Sequence, residues 1–136
     1  MERDIRFRGK RISNGEWLYG DLMQDDMNGC CIYPLKNKGL KQVLCCTIGQ
    51  FTGLYDKNGK EIYEGDIVLT PFVDPIFGDM VGEDLCVKRQ VKFNDGSFVV
   101  NEGDGFIYLE CFTRNNHIEI YGNIYDNPEL LKDGRD

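Results

Sequence analysis

Ile48 to Val68 reads IGQFTGLYDKNGKEIYEGDIV, and its turn chemistry decides the fold. Asn58-Gly59 supplies backbone positions that accept positive φ, so the chain reverses here. A two-residue turn sets Lys57 opposite Lys60 and Asp56 opposite Glu61, two like-charge pairs that cost stability. A three-residue loop, with Gly59 in the left-handed position, sets Asp56 opposite Lys60 and Leu54 opposite Ile62. That register satisfies charge and burial together and is the expected one. Gly65-Asp66 then breaks the chain sharply before the apolar alternation Ile67, Leu69. The run Asp56-Lys57-Asn58-Gly59 also suggests an EF-hand calcium loop. Its spacing fails, because the places that need glycine and a bidentate Glu hold Glu61 and Ile67.

Upstream, residues 5–22 read as a hairpin about Asn14-Gly15. A two-residue turn opposes Ile12 to Trp17, Phe7 to Leu22 and Arg8 to Asp21. Trp17 suits cross-strand packing better than a stacking platform for a base or sugar. Strands are expected over 30–35 and 42–48, around the turn Lys36-Asn37-Lys38-Gly39. With Asn37-Lys38 at the turn centre, Cys30 faces Cys45. Neighbours on a strand point to opposite faces, so Cys30 and Cys31 do not share one tetrahedral metal. Neither that pair nor Cys45-Cys46 has the C-x₂₋₄-C spacing of structural zinc sites. They read as small buried apolar side chains, with no metal site expected.

Downstream, Thr70 to Asp84 runs TPFVDPIFGDMVGED, with no clear period, and reads as a long irregular connection. Beyond it the pattern is clean. Asp95-Gly96 closes a hairpin that sets Phe93 against Phe98, Val91 against Val100 and Arg89 against Glu102. Gly103-Asp104-Gly105 turns the chain into a strand over Phe106 to Phe112, completing a three-stranded meander. Residues 118–125 alternate as another strand. Asn127-Pro128 then starts a short helical turn, with Asn127 as N-cap and Pro128 at the first helical place.

Composition narrows the function classes. The 136 residues suit one compact unit of two subdomains, and the 41% hydrophobic and 12% aromatic fractions supply a core. A formal charge of −7 opposes phosphate-backbone binding as the default. The basic run Arg3, Arg6, Arg8, Lys10, Arg11 is expected to scatter over two strand faces. His117 is the only histidine. It sits in the polar turn Arg114-Asn115-Asn116-His117, and spacing does not bind it to Cys86 or Cys111 as a nucleophilic dyad. No glycine-rich phosphate loop joins a strand to a helix. The chain therefore reads as a non-enzyme, without catalytic residues or cofactor.

Three segments carry a family resemblance: Ile5-Arg6-Phe7-Arg8-Gly9 at the amino end, Ile48-Gly49-Gln50 through Thr52-Gly53-Leu54 to Gly65-Asp66-Ile67-Val68 in the middle, and Ile120-Tyr121-Gly122-Asn123-Ile124-Tyr125-Asp126-Asn127-Pro128-Glu129-Leu130-Leu131 at the end. Together they resemble the YopX family of phage and prophage proteins, whose activity is not settled. The resemblance implies a mainly β fold and a viral or prophage origin. It implies an N-terminal β subdomain over 1–52, an SH3-like small β-barrel over 53–127, and a C-terminal helical turn and frayed tail over 128–136. It brings no catalytic residues.

In an SH3-like barrel the loop after the first strand commonly recognises partners, an analogy at the level of fold alone. On that analogy Phe72, Asp74, Phe77 and Asp79 form a protein-binding surface, the alternatives being a self-packed lid or a homo-oligomer contact. A protein partner is thus expected ahead of nucleic acid. The alternative readings are a nucleic-acid-associated small barrel, drawing on Lys88, Arg89 and Lys92, or an acidic inhibitor of a host nucleic-acid enzyme. No apolar leader follows Met1 and no run reaches membrane-spanning length, so a soluble protein of the bacterial host cytoplasm with reduced thiols is expected.

Overall fold

A computed structural model describes residues 4–27, 29–34, 39–73 and 80–131, with the backbone alone over 80–85. The chain divides into two compact units, Met1–Gly53 and Leu54–Asp136. The fold is mainly β, as the sequence predicts, and its sheets are antiparallel.

In the first unit, β1 (Phe7–Lys10), β2 (Trp17–Asp25), β3 (Gly29–Pro34) and β4 (Lys41–Val43) precede a 3₁₀ turn over Cys45–Thr47. The chain then enters β5 (Gly49–Tyr55), in which the first unit ends. The strands lie in the order β4-β3-β2-β1-β5. Leu18, Cys30, Ile32 and Val43 make the buried core, with Phe7, Leu22 and Ile48 packed on it. Gly20 has no room for a side chain, since a Cβ there would collide with the Tyr33 carbonyl oxygen across the β2–β3 ladder.

Two registers in this unit differ from expectation by two residues. Phe7 pairs with Gly20 and Lys10 with Trp17, so the first hairpin has a longer loop than the two-residue turn predicted. Such a turn needs positive φ at both central residues, and here Gly15 adopts it at 74° while Asn14 does not. Instead Gly15 N–H donates to the Arg11 carbonyl at 2.8 Å and Asn14 Oδ1 accepts from Glu16 N–H at 3.0 Å. Likewise Cys30 pairs with Val43, not Cys45. The expected strand over 42–48 stops at Val43 because Thr47 Oγ1 donates to the Leu44 carbonyl at 2.6 Å and accepts from Lys10 N–H at 2.9 Å. That pair of bonds stabilises a 3₁₀ turn in place of a ladder.

The second unit holds β6 (Glu61–Tyr63), the neighbour of β5, then β7 (Asp66–Val73), β8 (Met80–Asn94), β9 (Ser97–Glu102) and β10 (Gly105–Tyr108). A single helical turn α1 (Glu110–Thr113), β11 (Glu119–Asn123) and a 3₁₀ turn over Pro128–Leu131 complete it. The second sheet has the order β10-β9-β8-β7-β11. It is not closed into the expected SH3-like barrel. The long strand β8 divides its pairing lengthwise, to β7 over most of its length and to β9 from Val91 to Asn94. Its two flanks therefore end in separate edge strands. Ile62, Val68, Val91, Val100, Leu109, Phe112 and Ile118 form one buried cluster.

The predicted Asp95-Gly96 hairpin is present, with Phe93 opposite Phe98, Val91 opposite Val100, and positive φ at both turn residues. The strand expected over 106–112 ends at Tyr108 instead. Leu109 and Phe112 are both fully buried, and a strand would send them to opposite faces. One helical turn puts residues three apart on the same side. Residues 70–73 and 80–84 are strand and not irregular connection, while 74–79 lie outside the described residues. Phe72 pairs with Val81 and Val73 with Met80, which extends the β7–β8 ladder to those residues. The predicted helical turn begins at Pro128, with the Asn127 carbonyl accepting from Leu130 N–H at 3.0 Å, while Asn127 Oδ1 accepts from Asn123 N–H at 3.2 Å.

The loop after β5 has the predicted three-residue form, with Asp56 N–H donating to the Lys60 carbonyl at 2.9 Å and Gly59 at a φ of 82°. Asp56 is nearly fully buried and not the solvated half of an ion pair. Its Oδ1 accepts from Asn58 N–H at 2.8 Å and Lys60 N–H at 2.9 Å, and its Oδ2 from Ile120 N–H at 3.0 Å. Removing this carboxylate strands backbone donors that cost about 1–3 kcal/mol each when unsatisfied. Asp56→Ala should lower unfolding stability by roughly 3 kcal/mol, and Asp56→Asn by less, as read from urea denaturation midpoints. An alanine variant within ~0.5 kcal/mol of the parent, the scatter of ordinary surface changes, would contradict this account.

Candidate functional site

The β7–β8 ladder slips at Pro71. Pro71 faces Cys86 and Phe72 faces Val81, so residues 82–85 of β8 fall between those two partners. Proline offers no N–H to a ladder, which is why irregularities gather at such positions. The slip bends the hairpin beside the start of β11, where Glu119 pairs with Leu69. The turn leading into β11 folds back through His117 N–H, which donates to the Phe112 carbonyl at 2.9 Å, with Asn116 at a φ of 58°. From the other side the Asp56 turn brings Lys57, whose N–H donates to the Ile118 carbonyl at 2.9 Å.

Together these elements enclose a half-open cleft of about 440 Å³, lined by Lys57, Leu69, Thr70, Pro71, Cys86, Asn116, His117, Ile118 and Glu119. At its rim Lys57 Nζ stands 3.3 Å from Glu119 Oε1. Behind it, buried Arg89 donates from Nε to Thr70 Oγ1 at 2.7 Å. The Thr70 hydroxyl in turn lies 3.4 Å from the Val87 carbonyl. Thr70 is therefore committed on both its donor and acceptor sides, which unfits it as a nucleophile.

Arg89 also donates from Nη1 to the Asn101 carbonyl at 2.8 Å and to Glu102 Oε1, while its guanidinium sits 5.9 Å over the Phe112 ring. The predicted nearness of Arg89 and Glu102 thus takes the form of an ion pair. The fold gathers His117 and Cys86 into one cleft, which their spacing in sequence did not demand. Among the described residues no group of three or more His, Cys, Asp or Glu is placed to hold a metal ion.

Of the predicted site residues, Phe72 lies in β7 next to Pro71, with 40% of its surface exposed. Asp74, Phe77 and Asp79 lie outside the described residues. Sequence reasoning missed the cleft itself. Its one available signal was Pro71 interrupting an otherwise strand-like run.

Of the basic run, Arg6, Arg8 and Lys10 keep to alternate positions beside aromatic rings, Arg11 follows Lys10 directly, and Arg3 lies outside the described residues. Arg6 lies 4.4 Å over Phe51, and Arg8 and Lys10 lie 4.7 and 5.7 Å from Trp17. These alternate residues share one face, and the Arg8 and Lys10 cations occupy the ring of Trp17. That leaves Trp17 engaged within its own chain, as the packing reading expects. Cys30 and Cys31 are buried while Cys45, Cys46 and Cys86 are exposed, so the reading of both pairs as buried holds only for the first. A side-chain hydrogen bond with Cys30 pushes the Cys45 thiol above its usual value.

A family model described as YopX protein matches residues 6–132 of the chain. No curated protein matches it. Among solved structures, the crystal structure of protein EF1440 from Enterococcus faecalis is similar, at 23% identity and a TM-score of 0.59. The match covers 96% of this chain and 99% of that one, and it bears on fold alone.

The raised Cys45 thiol gives a measurable signature. Because the thiolate is the reactive form, alkylation of Cys45 by iodoacetamide should reach half its maximal rate at a higher pH than an ordinary thiol, about 8.5. In Cys30→Ala the midpoint should fall back toward that value, followed residue by residue by peptide mass spectrometry. An unchanged midpoint would dissociate the two thiols.

Proposed function

The chain belongs to the YopX family, and on that premise we propose that it is a non-catalytic protein-binding module of phage or prophage origin, acting in the cytoplasm of a bacterial host. The observation that carries this reading is the cleft at the Pro71 slip, with exposed Phe72 beside it. Leu69, Pro71 and Ile118 give it apolar walls, and the Lys57–Glu119 pair offers both signs of charge at its rim. A concavity of this size suits a small ligand or a few inserted side chains. The committed Thr70 hydroxyl and the ion-paired Glu119 favour recognition over turnover. Phe72 extends the surface along β7, and on the sequence reading Phe77, Asp74 and Asp79 belong to the same binding surface.

A nucleic-acid-associated role is the second reading, favoured by the shared face of Arg6, Arg8 and Lys10 beside Trp17 and Phe51. The net charge of −7 and the engaged Trp17 ring weigh against it.

The test is affinity capture by the full chain from nuclease-treated lysate of infected cells, run beside Phe72→Ser/Phe77→Ser. The double variant should keep its melting temperature and lose the captured protein about tenfold, a difference of ~1.4 kcal/mol in binding. Undiminished capture by the folded variant would overturn the assigned surface. Retention that depends on nucleic acid and collapses with added salt would promote the second reading.

A further inference from the structure

We propose that the open edge of β10 receives an extended strand from a partner protein, one whose apolar centre is flanked by lysine or arginine. This goes beyond the cleft reading and rests on other residues.

β10 ends its sheet, beyond β9. The two-residue turn after β9 sets Gly105 opposite Glu102, and farther along Leu109 N–H donates to the Phe98 carbonyl at 3.1 Å. Hydrogen-bonding direction alternates along an antiparallel strand. Gly105, Ile107 and Leu109 therefore face β9 with their backbone groups, while Phe106 and Tyr108 present theirs outward.

The opposite edge of the sheet is treated differently. On β11, Ile120 N–H is taken by Asp56 Oδ2 at 3.0 Å and Asn123 N–H by Asn127 Oδ1 at 3.2 Å. No side chain or turn among the described residues covers β10 in this way. Natural edges are commonly blunted with lysine, proline or a bulge, and the sequence Gly105-Phe106-Ile107-Tyr108 has none of these.

The edge is also adhesive. Phe106 and Tyr108 share a face, with ring centroids 5.9 Å apart, and are 39% and 55% exposed. An incoming strand would gain main-chain bonds and aromatic contact together, as in β-strand addition generally.

Charge decides the occupant. Only pairing centred on Ile107 uses the outward groups of both Phe106 and Tyr108 when two copies meet antiparallel. That register brings Asp104 of each copy toward Glu110 of the other, a like-charge contact repeated at both ends. Both carboxylates are exposed, and the Glu110–Arg114 contact at 3.9 Å between two exposed side chains screens little of this. A chain of net charge −7 adds to the repulsion. A strand with basic residues at its two ends converts the same positions into attractions.

Two synthetic peptides test this by amide NMR titration of the ¹⁵N-labelled full chain: Lys-Thr-Val-Phe-Val-Thr-Lys and its counterpart with Glu at both ends, each acetylated and amidated. The lysine peptide should shift the amide signals of Phe106 and Tyr108 saturably, and the glutamate peptide should bind at least about tenfold more weakly. Tyr108→Pro removes an N–H that β9 does not use, so it should abolish the shifts with the fold retained. Should that variant unfold, Phe106→Ser/Tyr108→Ser should weaken binding in its place. Phe72→Ser should bind the lysine peptide unchanged, which separates this edge from the cleft. Absence of shifts at millimolar peptide, equal binding of both peptides, shifts centred on 69–71 and 117–119, or self-association of the free chain through β10 would each overturn the proposal.

Discussion

One buried carboxylate holds the second unit in its arrangement. Asp56 closes its own turn through Asn58 and Lys60 and reaches across to Ile120 on β11. A buried carboxylate is costly unless its oxygens are satisfied, and backbone donors from two separate segments satisfy this one. The consequence is geometric. With Asp56 fixed, Lys57 must pair its backbone with Ile118 and its ammonium with Glu119. One wall of the cleft therefore follows from a turn that the sequence displays as Asp-Lys-Asn-Gly.

A second buried charge sets the register of the strands behind the cleft. Arg89 on β8 binds Thr70 on β7 and the Asn101 carbonyl and Glu102 on β9, so one guanidinium reads three adjacent strands. A one-residue slip would turn Arg89 to the other face of the sheet and break all of these bonds. Buried ion pairs add little net stability over apolar packing. Here the pairing is better understood as a constraint on register. Nη2 of Arg89 stays buried without a hydrogen-bond partner, which shows that this constraint is held at some expense in unsatisfied polarity.

Local chemistry made some of this legible in the sequence, and tertiary chemistry hid the rest. The loop at Asn58-Gly59 and the hairpin at Asp95-Gly96 follow from residues that tolerate positive φ, and both stand as read. Asn14-Gly15 carries the same signal, yet a side-chain bond from Asn14 to Glu16 N–H favours a longer loop. Cys45-Cys46 looked like strand because nothing local reveals that Thr47 will bind Lys10 from a distant strand. The shortened β10 was legible in principle: Leu109 and Phe112 have helical, not alternating, spacing. Closure into a barrel was an expectation of resemblance, and neither turn residues nor periodicity specify whether edge strands meet. The cleft eluded the sequence for a similar reason, since Lys57, Pro71, Cys86 and His117 come together only through β7, β8 and β11.

The two edges of the second sheet show what the same physics does when it is left incomplete. β11 is short, bulged between Ile120 and Gly122, and has outward donors bound by Asp56 and Asn127. Every device there reduces pairing with another chain. β10 has an unbulged pairing with β9 and two exposed aromatic rings, with carboxylates beyond each end. An edge left wholly sticky invites aggregation, whereas one flanked by like charges repels its own copies and admits a strand of opposite charge. The asymmetry is thus a selectivity filter written in backbone direction and charge, and it requires no residue that a search for catalytic or metal-binding motifs would have marked.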